Sequence, residues 1–147
     1  MVTALPRVST IVHTFPSENF MSQEKYMREA LSLAETGMRS GRGGPFGCVV
    51  VRKGEIVGRG HNRVTSTNDP TAHAEVVAIR DACANLETFQ LEDCELYTSC
   101  EPCPMCLSAI YWARLKRVFY ANTRKDAAKI QFDDDFPGRQ EALGSSG

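Results

Sequence analysis

No run of apolar residues in this chain approaches the roughly 18 needed to span a bilayer, and the first residues lack the basic start, unbroken apolar stretch and cleavage site of a secretory leader. A membrane span and export are set aside, and a cytoplasmic protein is expected. An excess of charge is also missing: 17 Lys and Arg stand against 18 Asp and Glu, a formal net charge of -1. That balance gives no global attraction to polyanions, so it does not suggest a nucleic-acid partner. Histidine is scarce, at three, and two of these, His13 and His61, have no partner at metal-ligand spacing. There is no internal repeat. At 147 residues the chain is long enough for one packed domain and too short for two.

Cysteine is present in quantity, with six. Without an export signal these are expected to be reduced thiols rather than a disulfide framework. Cys48, Cys83 and Cys94 fall within apolar or strand-like patterns, where free cysteine behaves as a small buried hydrophobe. Cys100, Cys103 and Cys106 crowd together and call for another explanation.

Along the chain, residues 1–20 carry two prolines and no sustained period, and read as a leader outside the fold. After Ser22, Met27, Ala30, Leu31, Ala34 and Met38 recur at helical spacing until Gly41, Gly43 and Gly44 end the helix. Residues 46–52 and 55–61 read as a β-hairpin closed by Lys53-Gly54. The stretch 65–70 is loop chemistry, and a helical pattern from Val76 to Cys83 follows, with His73 and Glu75 at its start. A strand near 95–98 leads to a helix over 105–114 with Pro104 in its first turn, and 118–121 reads as a last strand. The order predicts a three-layer α-β-α sandwich around a mixed, mostly parallel sheet that begins with an antiparallel hairpin. The domain is expected over 21–137, with 138–147 as a flexible tail.

Thiolate and imidazole are the common donors to zinc, and a Cys-x-x-Cys pair at a helix start can aim two sulfurs at one ion. Cys103 and Cys106 fit that placement, where unpaired amides at the helix N-terminus favour thiolates, and His73 can supply a nitrogen. Three protein donors leave the fourth position open for water, the mark of a catalytic rather than a structural zinc. Glu75, two residues beyond His73, is placed to move protons without being a ligand. Other readings stay open at this point. Cys-x-x-Cys alone also suits a redox pair or a structural site, and Cys100 could close a four-donor, non-catalytic zinc-stabilised domain.

The combination of His73-Ala74-Glu75 with Pro102-Cys103-Pro104-Met105-Cys106 resembles the zinc deaminases of nucleobases. With 43–47 (Gly-Gly-Pro-Phe-Gly), 68–75 and 97–106, the chain resembles the cytidine deaminase-like superfamily and, within it, the bacterial guanine deaminases, over about 21–136. The resemblance implies one zinc ion on His73, Cys103 and Cys106, with Glu75 catalytic, and hydrolysis of guanine to xanthine and ammonia. It further implies Phe46 against the purine face, Asn62 hydrogen-bonded to the base, the Ala74 backbone bordering the metal site, and Asp134 gripping the purine edge. Guanine suits that set: its N1–H and 2-amino group donate to a carboxylate, while O6 and N7 accept from an amide.

The family also implies a homodimer in which a further C-terminal strand and helix cross to the partner subunit. Here the sequence departs from the pattern, ending shortly after Phe136. Two related activities share the motifs, deamination of guanosine and of adenosine in transfer RNA. The second needs a basic surface, for which Lys116, Arg117, Arg124, Lys125 and Lys129 are available.

Overall fold

The computed structural model describes residues 11–12 and 20–122. In chain order these form β1 (Ile11–Val12), α1 (Phe20–Arg39), β2 (Gly47–Arg52), β3 (Glu55–His61), α2 (Val64–Thr67), α3 (Ala74–Leu86), β4 (Cys94–Cys100), α4 (Pro104–Ala113) and β5 (Arg117–Asn122). The strands make one sheet in the order β1-β5-β4-β2-β3. β2 pairs antiparallel with both β3 and β4, whereas β4 with β5 and β5 with β1 pair in parallel. Among the described strands, β2 alone therefore runs against the rest. The expected mixed, mostly parallel sheet is what forms.

The alternation of side chains along β2 builds both faces of the sheet at once. Val49 and Val51 join Tyr97 and Phe119 beneath Tyr26, Met27 and Ala30 of α1. Cys48 and Val50 join Leu96 and Val118 on the other face, against Ala74, Ala78 and Ala82 of α3 and Ile110 and Ala113 of α4. These are the three layers. On the α1 side Tyr97 stacks on Phe119 with ring centres 4.7 Å apart and meets Tyr26 at 5.3 Å, geometry worth about 0.5–1.5 kcal/mol per pair beyond buried area. On the other side two glycines of β3 let α3 lie almost on the sheet. A Cβ on Gly60 would come within 2.4 Å of the Ala74 carbonyl oxygen. That close approach sets the height of the α3 N-terminus, and with it His73.

The hairpin turn falls at Lys53-Gly54, both with positive φ (49° and 81°), the conformation a two-residue turn requires. Helix α1 ends where expected, with Gly41 at φ 72° and its N–H on the Met38 carbonyl. Two expectations are corrected. The leader over 1–20 is not wholly outside the fold, since Ile11 and Val12 pair with Val118 and Phe119 at the sheet edge and α1 already starts at Phe20. Two residues of edge strand are held by main-chain bonds and need no side-chain period to announce them. The loop after β3 contains the single turn α2, closed by the Thr67 N–H and hydroxyl on the Arg63 carbonyl, too short to show periodicity.

Candidate active site

Because β2 runs in reverse, its first residues lie at the same end of the sheet as the last residues of β3 and β4. Phe46 (just before β2), Asn62 (just after β3) and Cys103 (shortly after β4) are thus brought to one edge, the carboxyl end of the parallel strands, where α/β sheets place their sites.

Two helices begin there. His73 is the N-cap of α3 in extended conformation, its carbonyl taking the first helical bond from Val77 N–H at 2.9 Å. Cys103 is the N-cap of α4, with Pro104 fixing the first turn and Leu107 N–H on its carbonyl at 2.9 Å. Neither cap residue gives its side chain to its own helix, so both side chains can face each other. The His73 Nδ1 stands 3.5 Å from Cys103 Sγ and 3.6 Å from Cys106 Sγ. All three donor atoms lie within 4.8 Å of one another. Tetrahedral zinc with ordinary Zn–S and Zn–N bonds separates a sulfur from a nitrogen by about 3.6 Å, so the spacing fits one such ion.

The thiols are electrically unequal. Cys103 is held down to about 4, chiefly by a hydrogen bond from the Cys106 thiol, with His73 and the Cys106 N–H adding to it. Cys106 is pushed up, because it donates that proton, is buried, and faces the negative charge of Glu75. A cation bound between them favours the thiolate form of both.

Glu75 sits in the first turn of α3 and is only 6 % exposed. Burial pushes the Cys48 thiol up and the Glu75 charge adds to it, reaching Cys106 as well, yet the Glu75 oxygens are not among the clustered donors. It is therefore a carboxylate beside the donor set and not part of it. Cys100, considered as a fourth donor, lies in the apolar core with Cys48 and Leu96. Among the described residues only His73, Cys103 and Cys106 gather here, which leaves one tetrahedral position open.

The other predicted residues fall as follows. Phe46 is 9 % exposed and packs in the core cluster that contains Ala74. Its carbonyl accepts Asn62 N–H at 3.0 Å, so the two are neighbours. Asn62 Oδ1 accepts the Val64 N–H at 3.1 Å, which leaves its Nδ2 donor as the group it can offer a ligand. Gly43 is needed there, since a Cβ would lie 2.2 Å from the Asn62 carbonyl oxygen and 2.7 Å from its Oδ1. Ala74 is fully buried between His73 and Glu75. Asp134 lies outside the described residues, as do Arg124, Lys125 and Lys129. Lys116, just before β5, and Arg117, its first residue, lie at the opposite end of the sheet, around a cavity of about 570 Å³ that also takes in Lys53 and Glu95.

Sequence reading passed over three residues that shape this edge. Ser99 Oγ accepts the Gly47 N–H at 3.0 Å, while Asn122 Nδ2 donates to the Ser99 carbonyl at 3.2 Å, tying β4 and β5 to the start of β2. Asp69 organises the loop before His73, and its signal was present in Asp-Pro-Thr, an acidic residue two positions before a main-chain N–H it can accept.

Residues 21–122 match the model of the cytidine and deoxycytidylate deaminase zinc-binding region. The chain belongs to this family. The deaminase is 60 % identical to the guanine deaminase of Bacillus subtilis over 116 residues, which cover 79 % of this chain and 74 % of that protein. Its fold superposes on the X-ray structure of the Bacillus subtilis guanine deaminase with a TM-score of 0.76 at 59 % identity, over 79 % of this chain and 74 % of the other. A tRNA-specific adenosine deaminase of Aquifex aeolicus is 42 % identical over 69 % of this chain and 66 % of its own length.

Proposed function

We propose that the deaminase hydrolyses guanine to xanthine and ammonia with one zinc ion held by His73, Cys103 and Cys106. The observation that carries this reading is an open three-donor cluster at tetrahedral spacing beside a buried, non-ligating carboxylate. When bound, zinc supplies Lewis-acid activation of water near neutral pH. The chain's own residues do the rest. Glu75 takes the proton from the water that adds to C2, delivers it to the adjacent ring nitrogen, and passes the water's second proton to the departing amine as the C2–N bond breaks. The Asn62 Nδ2 group donates to the base at O6 or N7, and Phe46 and the Ala74 backbone line the approach. Asp134 accepts from N1–H and the 2-amino group; an acceptor pair of this kind separates guanine from adenine.

Guanine is favoured over adenosine in transfer RNA because the likeness to the guanine deaminase is closer and longer. Lys116 and Arg117, moreover, lie away from the candidate site. The test is ammonia release by zinc-loaded protein from guanine, guanosine, adenine, cytosine, cytidine and transfer RNA, with Glu75→Ala as the blank. Guanine is expected to be the substrate turned over; turnover confined to another member of the panel replaces this assignment.

The deaminase is further proposed to act in the cytoplasm as a homodimer. Trp112 is 71 % and Phe89 81 % exposed, and together with Val76, Ile79 and Ala109 they line an apolar groove between α3 and α4. Two large exposed apolar side chains in one patch mark an association surface. Trp112→Lys is expected to move the protein from dimer to monomer in analytical ultracentrifugation at micromolar concentration. An unchanged sedimentation coefficient removes this surface as the interface.

A further inference from the structure

We propose that Asp69 is a positioning residue that locks the Asn62 amide and the metal donor His73 to one another. This rests on the site assignment above. Asp69 lies near the middle of the segment between them, just after Asn68 takes the left-handed turn at φ 52°. Its main chain ties both halves of the segment together. Asp69 N–H donates to the Val64 carbonyl at 3.1 Å and its carbonyl accepts Ala72 N–H at 3.1 Å, while Arg63 N–H donates to the Ala72 carbonyl at 3.0 Å. Val64 is the residue whose N–H orients the Asn62 side chain.

The Asp69 carboxylate completes the path to the metal donor. Oδ1 accepts from Thr71 N–H at 2.9 Å and from the Thr71 hydroxyl at 2.6 Å. The Thr71 carbonyl in turn accepts the His73 N–H at 2.8 Å. The Thr71 bonds hold the Asp69 carboxyl below its ordinary range, as expected of an acceptor in constant use. Oδ2 reaches Arg80 of α3 at 3.6 Å, an exposed contact of the kind that contributes little. The structure therefore assigns the effect to the Oδ1 acceptor and not to the charge.

This separates Asp69 from a residue that only stabilises the fold. Groups behind a metal ligand typically shift metal affinity by about 10–100-fold. Asp69→Ala is expected to weaken cobalt binding, followed by its visible absorption, about tenfold, and to raise KM for guanine about tenfold. The kcat at saturating metal and guanine should stay within about twofold, since Glu75 is not displaced. Asp69→Asn keeps an oxygen facing Thr71 and should rescue both quantities, and Thr71→Val, which loses only the hydroxyl, should shift both in the same direction by less.

Asp69→Ala with a lowered Tm but unchanged KM and cobalt affinity overturns the proposal, and so does an Asp69→Asn variant as impaired as the alanine. Should Asp69→Ala fail to fold, Thr71→Val decides alone: no shift in either quantity overturns the coupling. Wild-type protein inert toward guanine would defeat the functional assignment instead. The cobalt measurement would still judge the hold of Asp69 on His73.

Discussion

Replacing Glu75 by Gln should cut ammonia release from guanine by about 10³-fold, within the range ascribed to a single positioned proton-transfer group. The substitution preserves size and polarity in a site where the side chain is 6 % exposed, so neither a cavity nor an unpaired charge is introduced. What it removes is the ability to take a proton and return it. The metal should stay, because Glu75 is not among the donors. Steady-state kinetics paired with zinc stoichiometry on the same preparation read both halves. A Gln variant retaining more than about a tenth of wild-type kcat, with zinc bound, takes Glu75 out of the proton path.

How much of this was legible in the sequence depended on how far apart the cooperating groups lie along the chain. His73 with Glu75 and Cys103 with Cys106 are local patterns at helix starts, and helix starts are marked by short-range chemistry such as Pro104. The sheet was readable for the same reason, since the alternation in 46–52 and 55–61 and the Lys53-Gly54 turn declare a hairpin.

What could not be read was which strand β4 pairs with. Its place beside β2 brings Cys103 to the edge that carries Phe46 and Asn62, and no local signal encodes it. The exclusion of Cys100 was equally hidden. It stands three residues before Cys103 and has the same chemistry, but β4 ends at Cys100 and carries it into the core. The β1 pairing was missed because it is a main-chain event, to which side-chain periodicity is blind.

Metal removal should have the broadest effect of all, loss of activity together with loss of stability, because the donors join the starts of two helices that otherwise meet through a small apolar cluster of Val76, Cys103 and Cys106. A metal present at a thousand times its dissociation constant stabilises the native state by about 4 kcal/mol. For a domain of this size that corresponds to roughly 10–20 °C in Tm. Dialysis against a chelator should therefore abolish ammonia release and lower Tm by that amount, with both restored by zinc.

The same experiment on cysteine variants distinguishes the open site from a closed one. Cys106→Ala removes a fully buried donor, so that variant should resemble the chelated protein and zinc should not rescue it. Cys100→Ala alters a core position outside the donor set and should keep zinc, activity and the chelator-dependent fall in Tm. A Cys100→Ala protein that loses its zinc would make the site four-coordinate by protein. With no position left for water, the deaminase assignment would fall along with the three-donor geometry.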